Sequence, residues 1–376
     1  MQPSPSFVVL GGAGAIGRIV VRDLFESNRR NRAVVADYDG DAAAEYARTY
    51  RTARLSAVSA DARNIAALSR ILRGNSVVIN CTRHQFNLNV MEAALQARVH
   101  YLDLGGLFVW TRRQLRLHQR FVDAGLTAIL GMGCAPGLTN LMTSQLASRF
   151  DRIDSVRIRV GGIDFNPQPG FTFPYSAQTI VEELTLEPWK WSGGKFVKAR
   201  PRTGWELVAF GPPVGDVWCV MTRHSEIATL PVHLRSQKVR LVDFKVGFDR
   251  PFVKELMRRV RAGQTMRDFE ALPASRSTPN DYEITRVTVT SGRRAAVMDC
   301  HAQSRSDWHA SAGDIDTACP ASIVAQIMAS GAIAERGVFA PEDIVPARFL
   351  FDQLTARGMR LICSETDPVK GRSTRS

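Results

Sequence analysis

The sequence predicts an α/β protein with two domains: an N-terminal doubly wound parallel sheet, then an α+β domain with a mixed or antiparallel sheet. The chain has 376 residues, which is long for a single hydrophobic core. Residues 1–136 alternate short apolar runs with amphipathic helical stretches, the pattern of parallel strands with crossover helices. Beyond them, polar and apolar residues alternate, as in strands with one solvated face.

The first domain begins with a strand that is expected to be buried on both faces. Phe7–Leu10 is a short apolar run, and the helix after it places Ile16, Ile19, Val20 and Leu24 on one side. Further strands are predicted at 33–37, 53–58, 76–80, 99–103 and 126–130. Six strands with helical crossovers is the strand count of a doubly wound sheet.

The second domain is predicted from shorter, alternating segments. Its strands are expected at 155–160, 205–210, 217–223, 239–246, 282–290 and 295–301. Ser291–Arg294 is a plausible hairpin turn between the last two strands, and 321–329 is predicted to be helical. The predicted division is 1–136, 137–319, a C-terminal helical segment at 320–369 and a disordered tail at 370–376.

Composition limits the classes of function. The formal net charge is +13, but the 49 Lys and Arg residues are spread along the chain, so a solvated basic surface is favoured over nucleic-acid binding. No apolar stretch is long enough to span a bilayer, and the N-terminus lacks a signal-peptide pattern, so a cytoplasmic location is expected. The six cysteines are scattered, without metal-ligand spacing, and predict free thiols and no metal site.

A glycine-rich turn follows the first strand and opens the first helix. Its residues are Gly12, Ala13, Gly14, Ala15, Ile16 and Gly17. Gly12 permits the tight turn, Gly14 lets a pyrophosphate approach the backbone, and Gly17 lets the helix pack closely on the strand. The amides at the helix N-terminus then bind phosphate. Because strand, turn and helix occur in this order, the segment predicts a Rossmann dinucleotide site.

The residues after the second strand select the cofactor. Asp37 lies about 20 residues after Gly17, where a carboxylate accepts hydrogen bonds from the ribose hydroxyls of NAD and repels a 2′-phosphate. Tyr38 and Asp39 follow it, not an arginine, so NAD is predicted rather than NADP. Asp61, after the third strand, is interpreted either as a residue near the adenine or as a helix N-cap.

The reaction is expected at the carboxyl ends of the strands. Several segments there, with others further along, resemble the saccharopine dehydrogenase family, most of all its lysine ε-dehydrogenase branch. They are Asn80-Cys81-Thr82, Phe86-Asn87-Leu88, His100 to Gly106, Ala135-Pro136-Gly137-Leu138-Thr139-Asn140, His224-Ser225-Glu226, Pro320 to Ile323 and Gly337 to Glu342. As a set these motifs are specific, and they cover nearly the whole chain.

The resemblance implies a Rossmann domain, a substrate domain, a C-terminal segment that returns to the first domain, and a homodimer. It also implies hydride transfer at a carbon–nitrogen bond. The residues implied to line the nicotinamide half are Asn80, Cys81, Thr82, Pro136 and Gly137, and Asp103 is implied to face the substrate. The stretch 244–248 lacks the Arg-Tyr-Pro-Gly-His signature of saccharopine-forming members, so saccharopine itself is not the expected substrate.

Oxidation of an amine to an imine needs a base, since the ammonium must lose a proton before hydride leaves. His224 and Glu226 are two residues apart, so on a strand both would point to one face. Asp103 is the other candidate, as base or as ligand of the cationic amine. Arg159, Arg223 and Lys245 are candidate carboxylate anchors, although the sequence alone favours surface charges.

The sequence therefore predicts an NAD(P)-dependent oxidoreductase acting on the amine or imine of an amino-acid or opine-type substrate, with a lysine-like amine as the first candidate. A polyamine-forming reductive condensation is the nearest alternative within this class. The alternative outside it is a non-catalytic protein that binds NAD(H) as a sensor or scaffold.

Overall fold

The computed structural model describes residues 4–167, 170–272, 278–366 and 374–375. The chain divides into two compact units, Met1–Leu141 with Asp316–Arg357, and Met142–Ile315 with Gly358–Ser376. The expected boundaries at 136 and 319 differ from the observed ones at 141 and 315 by a few residues, because those two fall inside the helices 138–147 and 312–329.

The described residues form strands and helices with the following bounds. The strands are β1 (Ser6–Leu10), β2 (Arg32–Asp37), β3 (Leu55–Ser59), β4 (Val77–Asn80), β5 (His100–Asp103), β6 (Thr127–Ile129), β7 (Ser155–Asp164), β8 (Trp189–Ser192), β9 (Lys195–Lys198), β10 (Glu206–Ala209), β11 (Asp216–Met221), β12 (Leu241–Gly247), β13 (Asp281–Ser291), β14 (Arg294–Gln303), β15 (Gly337–Phe339), β16 (Arg360–Thr366) and β17 (Thr374–Arg375). The helices are α1 (Ala15–Ser27), α2 (Gly40–Arg48), α3 (Ile65–Leu72), α4 (Asn87–Ala97), α5 (Leu107–Leu115), α6 (His118–Asp123), α7 (Leu138–Ala147), α8 (Ala177–Thr185), α9 (Glu226–His233), α10 (Arg250–Arg261), α11 (Met266–Glu270), α12 (Ala312–Ala329), α13 (Pro341–Ile344) and α14 (Ala347–Thr355).

The first unit is built on a parallel sheet in the order β15-β6-β5-β4-β1-β2-β3. β1 pairs with β2 on one side and with β4 on the other, so the strand order reverses at β1. Residues 7–10 of β1 are fully buried, as the apolar run predicts. The predicted doubly wound sheet is thus confirmed, and β15, which pairs with β6, adds a seventh strand from the C-terminal part of the chain.

The second unit contains a ten-stranded mixed sheet, as predicted. Its main path is β10-β11-β12-β7-β13-β14-β16-β17, and β8 pairs with both β12 and β9. Only the β7–β12 pairing is parallel among these strands. In the β13–β14 hairpin, Ser291 pairs with Arg294 across the predicted turn, and Gly292 adopts a positive φ of 57°.

The predicted return of a C-terminal segment to the first unit is confirmed for Asp316–Arg357, which includes β15. The residues after it differ from the expected bounds. β16 lies within the segment 320–369 that was expected to return to the first domain, but it pairs with β14 of the second sheet, because β14 offers an open strand edge there. The tail expected to be disordered, 370–376, lies outside the described residues except for Thr374–Arg375, which form β17 and pair with β16. An exposed strand edge offers backbone groups for such a pairing.

The C-terminal helix α12 is twice as long as predicted. It begins at Ala312, after a capping box in which Ser311 and Asp314 exchange hydrogen bonds between side chain and backbone amide. Pro320 lies inside the helix, where the sequence suggested a start, since proline usually interrupts a helix. None of the described helices is long and apolar enough to cross a membrane.

Candidate active site

The glycine turn joins β1 to α1 at the point where the strand order reverses. The amides of Gly11 and Gly12 both donate to Ala36 O of β2, at 2.8 and 3.2 Å, and Gly14 N donates to Gly11 O. The positive φ that the turn needs, 76°, belongs to Gly11 and not to Gly12. The turn is therefore anchored to the neighbouring strand before the helix begins.

The three motif glycines differ in what surrounds them. A Cβ at Gly12 would lie 2.7 Å from Val9 O, and one at Gly17 would lie 2.1 Å from Gly11 O. Gly14 is exposed, and a Cβ there would meet only Gly11 O, at 3.3 Å. Gly12 and Gly17 are thus required by packing within the unit. Gly14 leaves the backbone open at the start of α1, which fits the approach of a pyrophosphate.

Asp37 ends β2 and reaches back to the glycine turn. Its Oδ2 accepts a hydrogen bond from Ala13 N at 2.9 Å, and its Oδ1 accepts one from Asp39 N at 3.2 Å. The carboxylate is only partly buried, so it keeps acceptor capacity for the hydroxyls of a ribose. Asp37 therefore has two roles available to it, bracing the turn and binding a sugar.

Tyr38 and Asp61 lie near Asp37, and neither is buried. Tyr38 is 71% exposed. The N-cap interpretation of Asp61 is wrong: the N-cap of α3 is Asn64, whose side chain accepts from Ala67 N. Asp61 instead forms an ion pair with Arg63. The hydrogen bonds from Arg63 hold the pKa of Asp61 below its usual value.

The residues at the end of β4 line the other side of the glycine turn. A Cβ at Gly11 would lie 3.0 Å from Cys81 O and 3.3 Å from Thr82 Cγ2. Asn80 is buried, and its Oδ1 accepts from both the amide and the hydroxyl of Thr82. Its Nδ2 donates to Asn87 Oδ1 at 2.9 Å. Asn80 thus positions Thr82 and itself faces the protein interior.

Asp103 was expected to face the substrate, and in the structure its carboxylate lies inside the first unit. It is 1% exposed, and its two carboxylate oxygens accept five hydrogen bonds from the protein. The donors are Tyr101 Oη, Asn87 Nδ2, Gln114 Nε2, Gly105 N and Gly131 N. Burial raises the pKa of Asp103, and these donors act against that rise. A carboxylate saturated in this way holds the loops after β5 and β6 together and has little capacity left for an amine.

Pro136 and Gly137 are buried in the loop before α7. Gly137 has a φ of 117°, and its amide donates to Asn140 Oδ1 at 3.0 Å. Asn140 Nδ2 in turn donates to the buried Glu342 at 2.9 Å. Asn140 and Glu342 both belong to sequence motifs that resemble the family. The sequence did not indicate their hydrogen bond, because 202 residues separate them.

In the second unit, His224 is the centre of a buried acidic cluster. Its Nδ1 lies 3.1 Å from Glu226 Oε2, and its Nε2 lies 3.0 Å from Glu183 Oε1. The predicted proximity of His224 and Glu226 is present, but the predicted reason is wrong. β11 ends at Met221, so His224 lies in a loop and Glu226 is the first residue of α9. Glu183, from α8, was missed, because no local pattern relates it to a histidine 41 residues away.

The surroundings of His224 determine its charge. The imidazole stacks on Phe244, with ring centroids 3.6 Å apart. Burial lowers the pKa of His224, but the charge of Glu226 and the hydrogen bonds with Glu183 and Glu226 outweigh this effect and raise the pKa to about 9. At neutral pH the cluster therefore holds an imidazolium between two buried carboxyl groups.

Tyr175 extends the cluster toward the surface. Its hydroxyl donates to Glu183 Oε2 at 2.5 Å, while 41% of the residue is exposed. Desolvation of the hydroxyl and the neighbouring charge of Glu183 raise the pKa of Tyr175 well above its usual value. The tyrosine thus remains a neutral donor beside a proton-carrying histidine.

The candidate carboxylate anchors have different environments. Arg159 and Lys245 are buried, not surface charges, and they face each other across β7 and β12. Both donate to Glu206, and Arg159 also donates to Asp243 at 2.6 Å. The two cations are thereby matched by two carboxylates within the second unit. Arg223 Nε donates to the backbone oxygen of Glu187.

The geometry of the first unit defines a class of protein. A doubly wound parallel sheet, a glycine turn that exposes the N-terminus of a helix, and an acid at the end of β2 together define a dinucleotide-binding protein of the Rossmann type.

The chain belongs to the saccharopine dehydrogenase family. Residues 7–129 match the family described as Saccharopine dehydrogenase NADP binding domain, and residues 133–359 match Saccharopine dehydrogenase C-terminal domain. This confirms the resemblance inferred from the motifs. Characterised members are NAD(P)-dependent oxidoreductases, and the chain is an NAD(P)-dependent oxidoreductase of this family.

The individual relatives have low sequence identity to this chain. The chain is 25% identical over 285 residues to carboxyaminopropylagmatine dehydrogenase of Synechocystis, covering 69% of this chain and 67% of that protein. It is 24% identical over 214 residues to carboxynorspermidine synthase of Vibrio alginolyticus, covering 52% of this chain and only 50% of that protein. Its fold is similar to that of apo saccharopine dehydrogenase (L-Glu forming) from Saccharomyces cerevisiae, with a TM-score of 0.75, 15% identity, and coverage of 96% and 100% of the two chains.

Proposed function

We propose that this oxidoreductase transfers hydride at a carbon–nitrogen bond of a cationic amine, and that His224 exchanges the proton that accompanies the reaction. The observation that carries the proposal is the placement of His224 between Glu183 and Glu226. Two carboxyl groups around one imidazole make this site acidic in composition, which favours a substrate with an ammonium group. A pocket lined by arginines would instead favour a substrate with a carboxylate group.

The residues of the cluster suit reductive condensation of an amine with a carbonyl compound. With a pKa of about 9, His224 is protonated at neutral pH. Because its two ring nitrogens are bonded to Glu183 and Glu226, its proton reaches the hydroxyl that leaves as water through Glu183 and the partly exposed Tyr175. In the reverse direction the imidazole takes that proton back. Glu226 and Glu183 orient the ring and stabilise its positive charge.

The cofactor proposed is NAD rather than NADP. When bound, the dinucleotide supplies or accepts the hydride. The amides at the start of α1 would hold its pyrophosphate, and Asp37 would hold the adenosine ribose. The roles of Cys81, Thr82, Pro136 and Gly137 at the nicotinamide half remain predictions, as does that of Tyr38 near the adenosine.

The substrate proposed first is a polyamine-type amine. The relatives named carboxyaminopropylagmatine dehydrogenase and carboxynorspermidine synthase support it, since both names describe carboxylated polyamines. An amino-acid or opine-type substrate, with lysine as its simplest representative, is the second candidate. The family match over residues 133–359 favours it. A homodimer and a cytoplasmic location stay predictions from the sequence.

The test follows the oxidation of NADH and of NADPH by absorbance, in mixtures that pair each of several diamines and lysine with carbonyl compounds. The expected result is amine-dependent and carbonyl-dependent oxidation, faster with NADH than with NADPH and fastest with a diamine. Dinucleotide binding without turnover on any pair, at high enzyme concentration, would instead favour the sensor or scaffold alternative.

A further inference from the structure

An exposed ion pair lies on the loop between β3 and α3. Arg63 Nε donates to Asp61 Oδ1 at 2.9 Å, and Arg63 Nη2 donates to Asp61 Oδ2 at 2.8 Å. The guanidinium carbon of Arg63 also lies 5.4 Å from the ring centroid of Tyr38. The side chains of Arg63 and Asp61 are 62% and 36% exposed, so solvent reaches both partners.

This pair is next to the part of the cofactor site that would hold the adenosine ribose. Ala60 N donates to Asp37 O at 2.7 Å, which fixes the start of the loop to the end of β2. Tyr38, the ring beneath Arg63, directly follows Asp37. The carboxylate of Asp37 is itself bound to the glycine turn through Ala13 N. Arg63 is therefore positioned beside the residue that selects between NAD and NADP.

Two opposing charges meet at this position. Asp37 repels a 2′-phosphate, whereas an arginine near the end of β2 accommodates one. A guanidinium binds phosphate through paired, charge-assisted hydrogen bonds, and such bonds are stronger than those between neutral groups. In the structure, however, these donors of Arg63 are directed at Asp61.

We propose that Arg63 is the residue that would receive the 2′-phosphate of NADP, and that Asp61 sets the cofactor preference by pairing with Arg63. The inference rests on the proposed cofactor site. A surface ion pair of this exposure is weakly held, so a 2′-phosphate can compete with Asp61 for the guanidinium. NAD is preferred because both Asp37 and Asp61 act against the phosphate, and NADP still binds because Arg63 can turn to it.

The test measures binding by calorimetry to the purified full chain, with AMP and 2′,5′-ADP as probes that differ only in the 2′-phosphate. Arg63→Ala is expected to weaken 2′,5′-ADP binding about tenfold and to leave AMP binding unchanged. Asp61→Asn is expected to strengthen 2′,5′-ADP binding by up to about tenfold, because the guanidinium is released. The double variant is expected to behave like Arg63→Ala.

Arg70→Ala is the matched control, because Arg70 is an exposed arginine on α3 and its loss changes the net charge equally. It should leave the ratio of the two affinities unaltered. An Arg63→Ala variant with the wild-type ratio, or with equal losses for both probes, would overturn the inference. If the wild-type chain binds AMP, 2′,5′-ADP, NAD and NADP not at all, the proposed cofactor site fails as well.

Discussion

Each unit contains buried titratable groups that the sequence suggested for catalysis, Asp103 in the first and His224 with Glu226 in the second. Asp103 and His224 differ in the charge of their hydrogen-bond partners. Asp103 accepts five hydrogen bonds, all from neutral groups of the first unit. His224 lies between two carboxyl groups of the second unit, one of which also binds the half-exposed Tyr175. Burial alone therefore does not identify a functional group. What distinguishes His224 is that its partners are two carboxyl groups, which favour a positive charge on the ring.

Replacing Asp103 tests whether this residue holds the fold together, and it should give the largest effect on stability. Asp103→Asn turns one acceptor into a donor that faces other donors, so the free energy of unfolding should fall by about 3 kcal/mol or more. Chemical denaturation measures this. The pH dependence of turnover should stay as in the wild type. A stable variant with a displaced pH profile would instead make Asp103 a catalytic group.

The pH dependence of stability tests the charge of His224. Its pKa is about 9 in the folded protein and about 6.5 when unfolded, so its protonation stabilises the fold. This contribution, on the order of 3 kcal/mol, is fully present below about pH 6.5 and is lost as the pH rises through about 9. The wild type should therefore lose stability over this range relative to His224→Asn. Parallel curves for the two proteins would show that the imidazole is neutral.

Removing one of the two carboxylates beside His224 should affect stability less than the replacements of Asp103 and His224. It tests which partner raises the pKa of the histidine. Glu226→Gln eliminates the charge that acts most strongly to raise the pKa of His224, so that pKa should fall toward its ordinary value. Titration of the histidine ring by NMR measures it. Glu255→Gln is a control, because Glu255 pairs with Arg258 and Arg259 on α10 and not with His224. An unchanged His224 pKa in Glu226→Gln would contradict the charge assignment.

The sequence predicts the first sheet well, because each buried parallel strand is a local apolar run and the glycine turn has local spacing. The relation of His224 to Glu226 was also within reach, although they do not share a strand. The hydrogen-bond partners that come from distant parts of the chain could not be predicted. Glu183 and Gln114 approach His224 and Asp103 only through packing of helices, and β16 joins its sheet from the far end of the chain. Local periodicity contains no information about such distant pairings.

The misjudged residues have a common cause. Arg159 and Lys245 were interpreted as surface charges, since isolated cations usually are, yet Glu206 and Asp243 make their burial possible. Asp103 was assigned to the substrate from its position at a strand end, yet its oxygens accept hydrogen bonds from Tyr101 on the same strand and from four other segments. In each case the decisive quantity is the number of partners, which depends on the tertiary structure.

The central claim is that His224 exchanges a proton in a dinucleotide-dependent reaction at a carbon–nitrogen bond. It is tested most directly by comparing kcat and dinucleotide affinity for the wild type and His224→Asn on an amine and carbonyl pair that the wild type converts. His309→Asn serves as control, because His309 is exposed and has the positive φ that asparagine tolerates. The account predicts a kcat lower by about 100-fold or more in His224→Asn, with dinucleotide affinity unchanged. Wild-type kcat in His224→Asn would contradict it.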